Sequence, residues 1–287
     1  MTAPLLDREE YVEQAYFFRA YRERVEDNQP SQEILTTIQE EILSTTKLPM
    51  ALDFLVGEIQ LHGHIGDGMQ HLSHYFTPFQ TFVMTMSEAD KSKFDQSTAL
   101  VILEREAEYR ADNPTPAGLF IYQFECIARN RLGYDTGMSA MAGDPLYDES
   151  WHDWIMKIRL QLGTIDFSDM IYLRSEFYVT DKRRRTGDNE FQPVYAILFG
   201  VQEGRIARAN RGKEPLLMFA ALQRHLDYPT VPRPRPKSET PPIHPALEQR
   251  LQRIEQTMQL IQAELKGGLD LTQFYVKPSD FEEPGKS

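Results

Sequence analysis

The chain has 287 residues, 41% of them hydrophobic and 26% charged, and its formal net charge is −12. These proportions are typical of a folded globular protein and exclude a chain that is disordered throughout. An acidic balance of this size argues against broad contact with nucleic acid or with an anionic membrane.

Cysteine content and hydropathy favour the cytoplasm. Cys126 is the only cysteine, so the chain cannot form an internal disulfide, as expected in a reducing compartment. The first residues lack a basic stretch followed by an apolar run, and we therefore expect no secretory signal. No window approaches the roughly 20 apolar residues of a membrane span. We predict a cytoplasmic protein without membrane association.

Apolar residues recur every three or four positions over much of the first 162 residues, which is the period of an amphipathic helix. The predicted helical segments are 7–26, 30–43, 49–63, 71–86, 95–111, 119–132 and 151–162. Segment 119–132 is the most apolar of them and should lie at the centre of the core. In segment 95–111, polarity predicts that Glu104, Glu106 and Arg110 face solvent. The glycine-rich stretch 63–68 is predicted to be a loop.

The period changes after residue 165. Segments 169–179 and 191–200 are rich in Ile, Tyr, Phe and Val, which favours strands, and the polar stretch 181–189 between them has the composition of a hairpin loop. We therefore predict an α+β fold, predominantly helical, with one antiparallel β-hairpin at about 169–200.

A proline-rich stretch at 231–245 should form an extended spacer between a domain at 1–230 and a helix at 246–266. We expect the tail at 267–287 to be flexible. Apolar residues of the helix alternate in steps of four and three, which is the seam of a coiled coil. The seam consists of Leu247, Leu251, Ile254, Met258, Ile261 and Leu265. It predicts a homo-oligomer, and the alternative is an amphipathic helix that folds back onto its own domain.

Four of the seven histidines fall within thirteen positions, with an aspartate between them. The group is His62, His64, Asp67, His71 and His74. Neutral imidazole is a common ligand of zinc and iron, and a carboxylate can complete or orient such a set. The spacing suggests a divalent metal as cofactor, while helix capping and surface hydration are the ordinary alternative.

The charge reverses locally between residues 174 and 213. Nine basic and five acidic residues give this window a formal charge of +4. The predicted hairpin tip carries four consecutive cations, Lys182, Arg183, Arg184 and Arg185. Such a tip could bind phosphates, RNA or an acidic protein surface. It could equally pair with the acidic helices of the chain or keep an edge strand soluble.

A second metal hypothesis rests on Glu149 and His152, which have the Glu-x-x-His spacing of helical di-iron sites. Those sites need two copies of the motif, and this chain has one. Cys126 falls in the middle of a predicted helix, where a small buried hydrophobic residue is the default interpretation. The sequence contains no phosphate-binding loop, nucleophile elbow or zinc-protease motif.

Because no catalytic motif accompanies the coiled-coil seam, the sequence favours a homo-oligomeric interaction or scaffold protein with a protein partner. Two alternatives stay open. One is a metal-binding protein or metal-dependent enzyme that uses the histidine group. The other is anion or nucleic-acid binding at the basic hairpin tip, against which the overall net charge argues.

A chain that ends at Val231 lacks the predicted seam. If the seam joins copies of the protein, this shorter chain should have a lower solution mass per assembly than the full chain. Light scattering after gel filtration measures both masses. The same mass for the two chains would contradict the coiled-coil prediction.

Overall fold

The computed structural model describes residues 6–89 and 94–233, which form thirteen α-helices without a β-sheet. The helices are α1 (Arg8–Glu26), α2 (Ser31–Glu41), α3 (Leu48–His62), α4 (Ile65–His71), α5 (Pro78–Glu88), α6 (Gln96–Ala111), α7 (Pro116–Asn130), α8 (Tyr134–Ala142), α9 (Glu149–Gln161), α10 (Phe167–Leu173), α11 (Glu176–Thr186), α12 (Val201–Ala209) and α13 (Pro215–Leu226). None of these thirteen has the length and apolarity that crossing a bilayer demands.

Side-chain caps explain where several helices begin. Thr77 accepts a hydrogen bond from the backbone N–H of Gln80, and the side chain of Gln80 accepts one from the backbone of Thr77, which forms a capping box at the start of α5. Asp95, Thr115 and Asp148 accept backbone hydrogen bonds at the starts of α6, α7 and α9. Each such cap contributes about 1 kcal/mol and fixes where the preceding connection ends.

Helix α7 lies at the centre of the hydrophobic core, as its apolar sequence predicts. Every residue from 119 to 127 is buried. The ring of Phe120 lies 5.6 Å and 4.8 Å, between centroids, from Trp151 and Trp154 of α9. The ring of Phe124 stacks on Phe167 of α10 at 4.0 Å. Aromatic contacts thus join α7 to α9 and α10.

Two glycines let α4 approach its neighbours closely. The predicted loop at 63–68 is wrong over most of its length, because α4 occupies it. A Cβ atom on Gly66 would lie 3.0 Å from Cα of Thr85 in α5, and one on Gly68 would lie 2.6 Å from Cδ2 of Leu55 in α3. These glycines allow close helix packing. The local sequence alone does not distinguish glycines with this role from glycines in a turn.

The predicted β-hairpin at about 169–200 is wrong, and so is the α+β fold class. Helices α10 and α11 occupy the first predicted strand and most of the predicted loop. Residues 191–200 join no sheet, and a single isolated bridge connects Phe199 with Ser175. Within the residues that the structure describes, the fold is all-helical.

Two N-caps account for the helices in this region. The carboxylate of Asp166 accepts from the N–H of Ser168 at 3.0 Å, and the hydroxyl of Ser175 accepts from the N–H of Tyr178 at 3.2 Å. Both caps start a helix, and α10 then buries Phe167 against α7. The β-favouring composition predicted strands, but strand propensity is context-dependent and tertiary burial overrides it.

Two glycine substitutions should have opposite effects on stability. A Cβ atom on Gly204, in α12, would collide with the side chain of Ser175 and lie 2.8 Å from Cβ of Phe177, so Gly204→Ala should destabilise the fold by about 1–3 kcal/mol. A Cβ atom on Gly57, in the middle of α3, would have open space within 4 Å, so Gly57→Ala should stabilise the fold by about 0.5–1 kcal/mol. Urea unfolding measures both, and a loss for Gly57→Ala as large as for Gly204→Ala would contradict the packing described.

Candidate functional site

A surface cavity of about 560 Å³ lies between the first turns of α1, the connection from α4 to α5, the connection from α8 to α9, and α9 itself. Small-molecule sites typically have volumes of about 300–1,000 Å³. Polar and aromatic side chains from separate parts of the sequence line it: Tyr11, Ser73, His74, Tyr75, Asp144, Tyr147, Asp148, Glu149 and His152. The tertiary fold brings these residues together, and we therefore treat the cavity as the candidate site.

The cap of α9 positions two of these side chains. Asp148 accepts from the N–H of Trp151 at 2.9 Å, and Glu149 and His152 then lie three residues apart on the same side of the helix. Nδ1 of His152 is 2.9 Å from the carbonyl oxygen of Ala142. Because a carbonyl can only accept, Nδ1 donates this hydrogen bond, which leaves Nε2 as the acceptor in the ring form that carries a single proton.

Tyrosine rings supply the aromatic part of the lining. The hydroxyl of Tyr75 donates to Glu10 at 3.0 Å, and the hydroxyl of Tyr147 donates to Gln123 at 2.9 Å. Burial raises the pKa of both phenols, so both stay neutral at physiological pH. With their hydroxyls engaged inside the protein, Tyr75 and Tyr147 contribute aromatic rings to the cavity.

Asp144 connects the cavity to a buried ion network. Nη1 of Arg110 donates to Oδ1 of Asp144 at 3.3 Å. Nη2 of Arg110 donates to Oδ2 of Asp144 and also, at 2.8 Å, to Glu106. Gln123 donates to Glu106 at 2.8 Å and to Asp144 at 3.2 Å. The Glu106 and Arg110 side chains are essentially without solvent exposure. The prediction that Glu106 and Arg110 face solvent is therefore wrong, because mutual pairing lets both charges enter the core. Glu104, the third residue of that prediction, is also buried.

The network holds two carboxylates and one guanidinium. Burial raises the pKa of Glu106, and the charge of Arg110 offsets this only in part. Burial would lower the pKa of Arg110, but the charges of Asp144 and Glu106 hold it well above its ordinary value. Arg110 therefore stays charged, whereas Glu106 takes up a proton at a higher pH than an exposed glutamate does.

Of the five predicted metal ligands His62, His64, Asp67, His71 and His74, the structure brings His62 and His71 to the same carboxylate. One ring nitrogen of His62 lies 3.9 Å from Oε2 of Glu58, and one of His71 lies 3.3 Å from the same oxygen. His74 instead lines the cavity. No group of three or more His, Cys, Asp or Glu residues that could hold a metal ion occurs within 6–89 and 94–233. The metal hypothesis gains no support from this arrangement.

The four residues of the predicted basic tip lie on α11 and not on a hairpin: Lys182, Arg183, Arg184 and Arg185. Nε of Arg183 donates to the carbonyl of Phe191 at 2.9 Å. Arg185 lies 3.2 Å from the carboxylate of Asp181, which also pairs with Arg208 at 2.7 Å. Two of the four cations are thus engaged by the protein's own acceptors. Anion binding at these four residues remains a prediction. Fewer of their positive charges are available to an external anion than the sequence suggests.

Cys126 is fully buried in α7, and burial raises the pKa of its thiol well above the ordinary value. A thiol in that state is a poor nucleophile, which agrees with a structural role. The coiled-coil seam at 247–265 lies outside the residues that the structure describes. The homo-oligomer therefore remains a prediction from sequence.

Comparison of the chain with protein-family profiles, with curated proteins and with solved structures finds no match. The chemistry of the cavity is accordingly the basis for a functional proposal.

Sequence reasoning singled out three lining residues, His74, Glu149 and His152, but for metal binding. It missed Tyr11 and Asp144, because their position at the cavity depends on how distant segments pack. The buried network did leave a signal in the sequence. The period that marks Leu103 and Ala107 as core residues continues to Arg110, which lies one helical turn after Glu106.

Two isosteric substitutions should separate the roles of the buried carboxylates. Asp144→Asn leaves buried Arg110 with Glu106 as its one charged partner and should cost about 3–5 kcal/mol in urea unfolding. Glu106→Gln keeps an acceptor for Gln123 and should cost less.

The same variants should differ in pH dependence. Because the folded-state pKa of Glu106 is raised, its contribution favours folding at low pH and is lost as the pH rises through that folded pKa. In Glu106→Gln, the loss of stability that comes from the titration of Glu106 should be absent. Urea unfolding midpoints measured between about pH 4 and pH 8 for both proteins would detect this difference. Equal costs for both variants, together with an unchanged pH profile in Glu106→Gln, would contradict the assignment.

Proposed function

We propose that the protein binds a small organic cation with a primary ammonium group in the cavity beside α9. The observation that carries this proposal is the polarity of the lining. It includes the exposed carboxylates of Asp148 and Glu149, with the buried Asp144 paired to Arg110 behind them, and contains neither lysine nor arginine. An ammonium group has three donors and no acceptor, and it therefore complements a surface of this kind.

The formal charge around the cavity is negative. The exposed carboxylates of Asp148 and Glu149 contribute −2, and the buried pair of Asp144 with Arg110 behind them adds no net charge, which leaves −2 before Glu106 is counted. Glu149 is exposed, and no described cation forms an ion pair with it. Exposed ion pairs are generally worth about 0.2–1 kcal/mol, so the carboxylates alone would orient a cation without binding it tightly. The net charge of −12 adds a long-range attraction for cations.

Several groups could act together on a bound ammonium. Glu149 and Nε2 of His152 offer acceptors from one side of α9, and the rings of Tyr75 and Tyr147 can receive a cation or the methylene next to it. Tyr75 and Tyr147 are held by hydrogen bonds and by burial, so little ordering is needed when the ligand binds.

Titration calorimetry with butylamine as the probe tests the proposal at a pH where its amine is protonated. Butanol is the control of similar size without the charge. We expect butylamine to bind one equivalent per chain and butanol to bind at least tenfold more weakly. Added salt should weaken butylamine binding, because charge contributes to it.

The substitution Glu149→Gln should weaken butylamine binding about two- to fivefold, the equivalent of an exposed ion pair. Glu176→Gln is the matched control, because Glu176 is also the exposed first residue of a capped helix but lies away from the cavity. Equal binding of butylamine and butanol, or an equal effect of the two substitutions, would overturn the proposal.

Self-association is a second and independent proposal, supported by the heptad spacing of 247–265 in the sequence. If both proposals hold, an oligomer would present several copies of the cavity. A protein that combines these properties would be a multivalent binder of small cations.

A further inference from the structure

A second cavity, of about 440 Å³, adjoins the first. It lies along α5, between the end of α4 and the start of α8, and it shares three lining residues with the first cavity: Ser73, Phe76 and Pro78. Ser73 and Pro78 are exposed, so the boundary between the cavities lies at the protein surface. A flexible chain could cross this boundary without opening the core.

The two cavities differ in polarity. The second cavity has no ionisable side chain in its lining, whereas the first has the exposed carboxylates of Asp148 and Glu149 and two histidines. The residues that line the second cavity alone are Gln70, Thr81, Phe82, Thr85, Met86 and Thr136. Aromatic rings, a thioether and threonine methyl groups make it suitable for hydrocarbon.

We infer that the second cavity holds the apolar part of the same ligand, which is then an amphiphilic alkylamine. This inference rests on the proposed function, because it requires the ammonium group to occupy the first cavity. The ammonium lies near Glu149 and His152, and the alkyl chain passes Ser73 and Pro78 to reach Phe82 on α5.

The polarity of the lining makes this arrangement specific. A charged group in the second cavity would meet no counter-charge, and a hydrocarbon chain in the first cavity would displace water from carboxylates without replacing their hydrogen bonds. The two subsites therefore fix the direction of an amphiphile. Complete burial of a methylene strengthens binding about fourfold. Because the second cavity is partly open to solvent, we expect the affinity to increase at least about twofold for each methylene added to the ligand.

A homologous series tests the inference by titration calorimetry on the full chain. The probes are butylamine, hexylamine and octylamine, each used below the concentration at which it aggregates. Thr81→Phe on α5 and Thr136→Phe on α8 fill the second cavity from two different helices. Thr36→Phe, on the exposed side of α2, is the matched control. Circular dichroism establishes whether each variant is folded. If Thr81→Phe does not fold, Thr136→Phe alone tests the second cavity.

In the unsubstituted protein and in Thr36→Phe, affinity should rise with chain length. In the two cavity-filling variants the rise should be lost, while the affinity for butylamine stays within about twofold of that of the unsubstituted protein.

Three results would overturn the inference. If butylamine binds but affinity does not rise with chain length, the second cavity is not a subsite, and the proposed function stands. If the rise persists in both filling variants, the chain binds elsewhere, and again the proposed function stands. If no amine binds at all, the proposed function fails and this inference fails with it.

Discussion

The guanidinium of Arg110 is the constraint on which the arrangement of the site depends. A buried charge of this kind costs several kcal/mol unless carboxylates pair with it, and Asp144 and Glu106 supply that pairing. Gln123 on α7 donates to both carboxylates, so α6, α7 and the connection between α8 and α9 meet in one network. Asp144 also lines the cavity. The pairing that makes the buried charge tolerable therefore also fixes one wall of the site.

A second polar network fixes another wall, which α1 and the connection from α4 to α5 form. Glu10 on α1 accepts from the backbone N–H of Lys47 at 2.9 Å and from the hydroxyl of Tyr75 at 3.0 Å. Gln80 on α5 donates to Gln14 on α1 at 3.0 Å. Buried hydrogen bonds of this kind specify one arrangement of the surrounding helices when their partners are satisfied. Both walls of the cavity are thus held by side chains that do not need a ligand to be in place, which favours a preformed site.

Sequence patterns predicted the fold where burial and helix period agree. Segment 119–132 is apolar on nearly every face, and α7 is accordingly buried on every side over 119–127. The patterns failed where local propensity and packing disagree. The stretch after residue 165 has the composition of strands, yet the caps at Asp166 and Ser175 start helices, and Phe167 packs against α7. Gly66 and Gly68 look like a turn and instead allow close contact between helices.

The sequence by itself determined that most of the described chain is helical and that α7 is central, because helical periodicity and apolar burial are local properties of the chain. It also placed Glu149 and His152 one turn apart, since spacing along a helix sets that distance. Only the tertiary structure decided that His74, Tyr11 and Asp144 join them at one cavity. Their convergence depends on contacts between segments far apart in sequence, and on pairing energies that let charged residues such as Arg110 lie in the core.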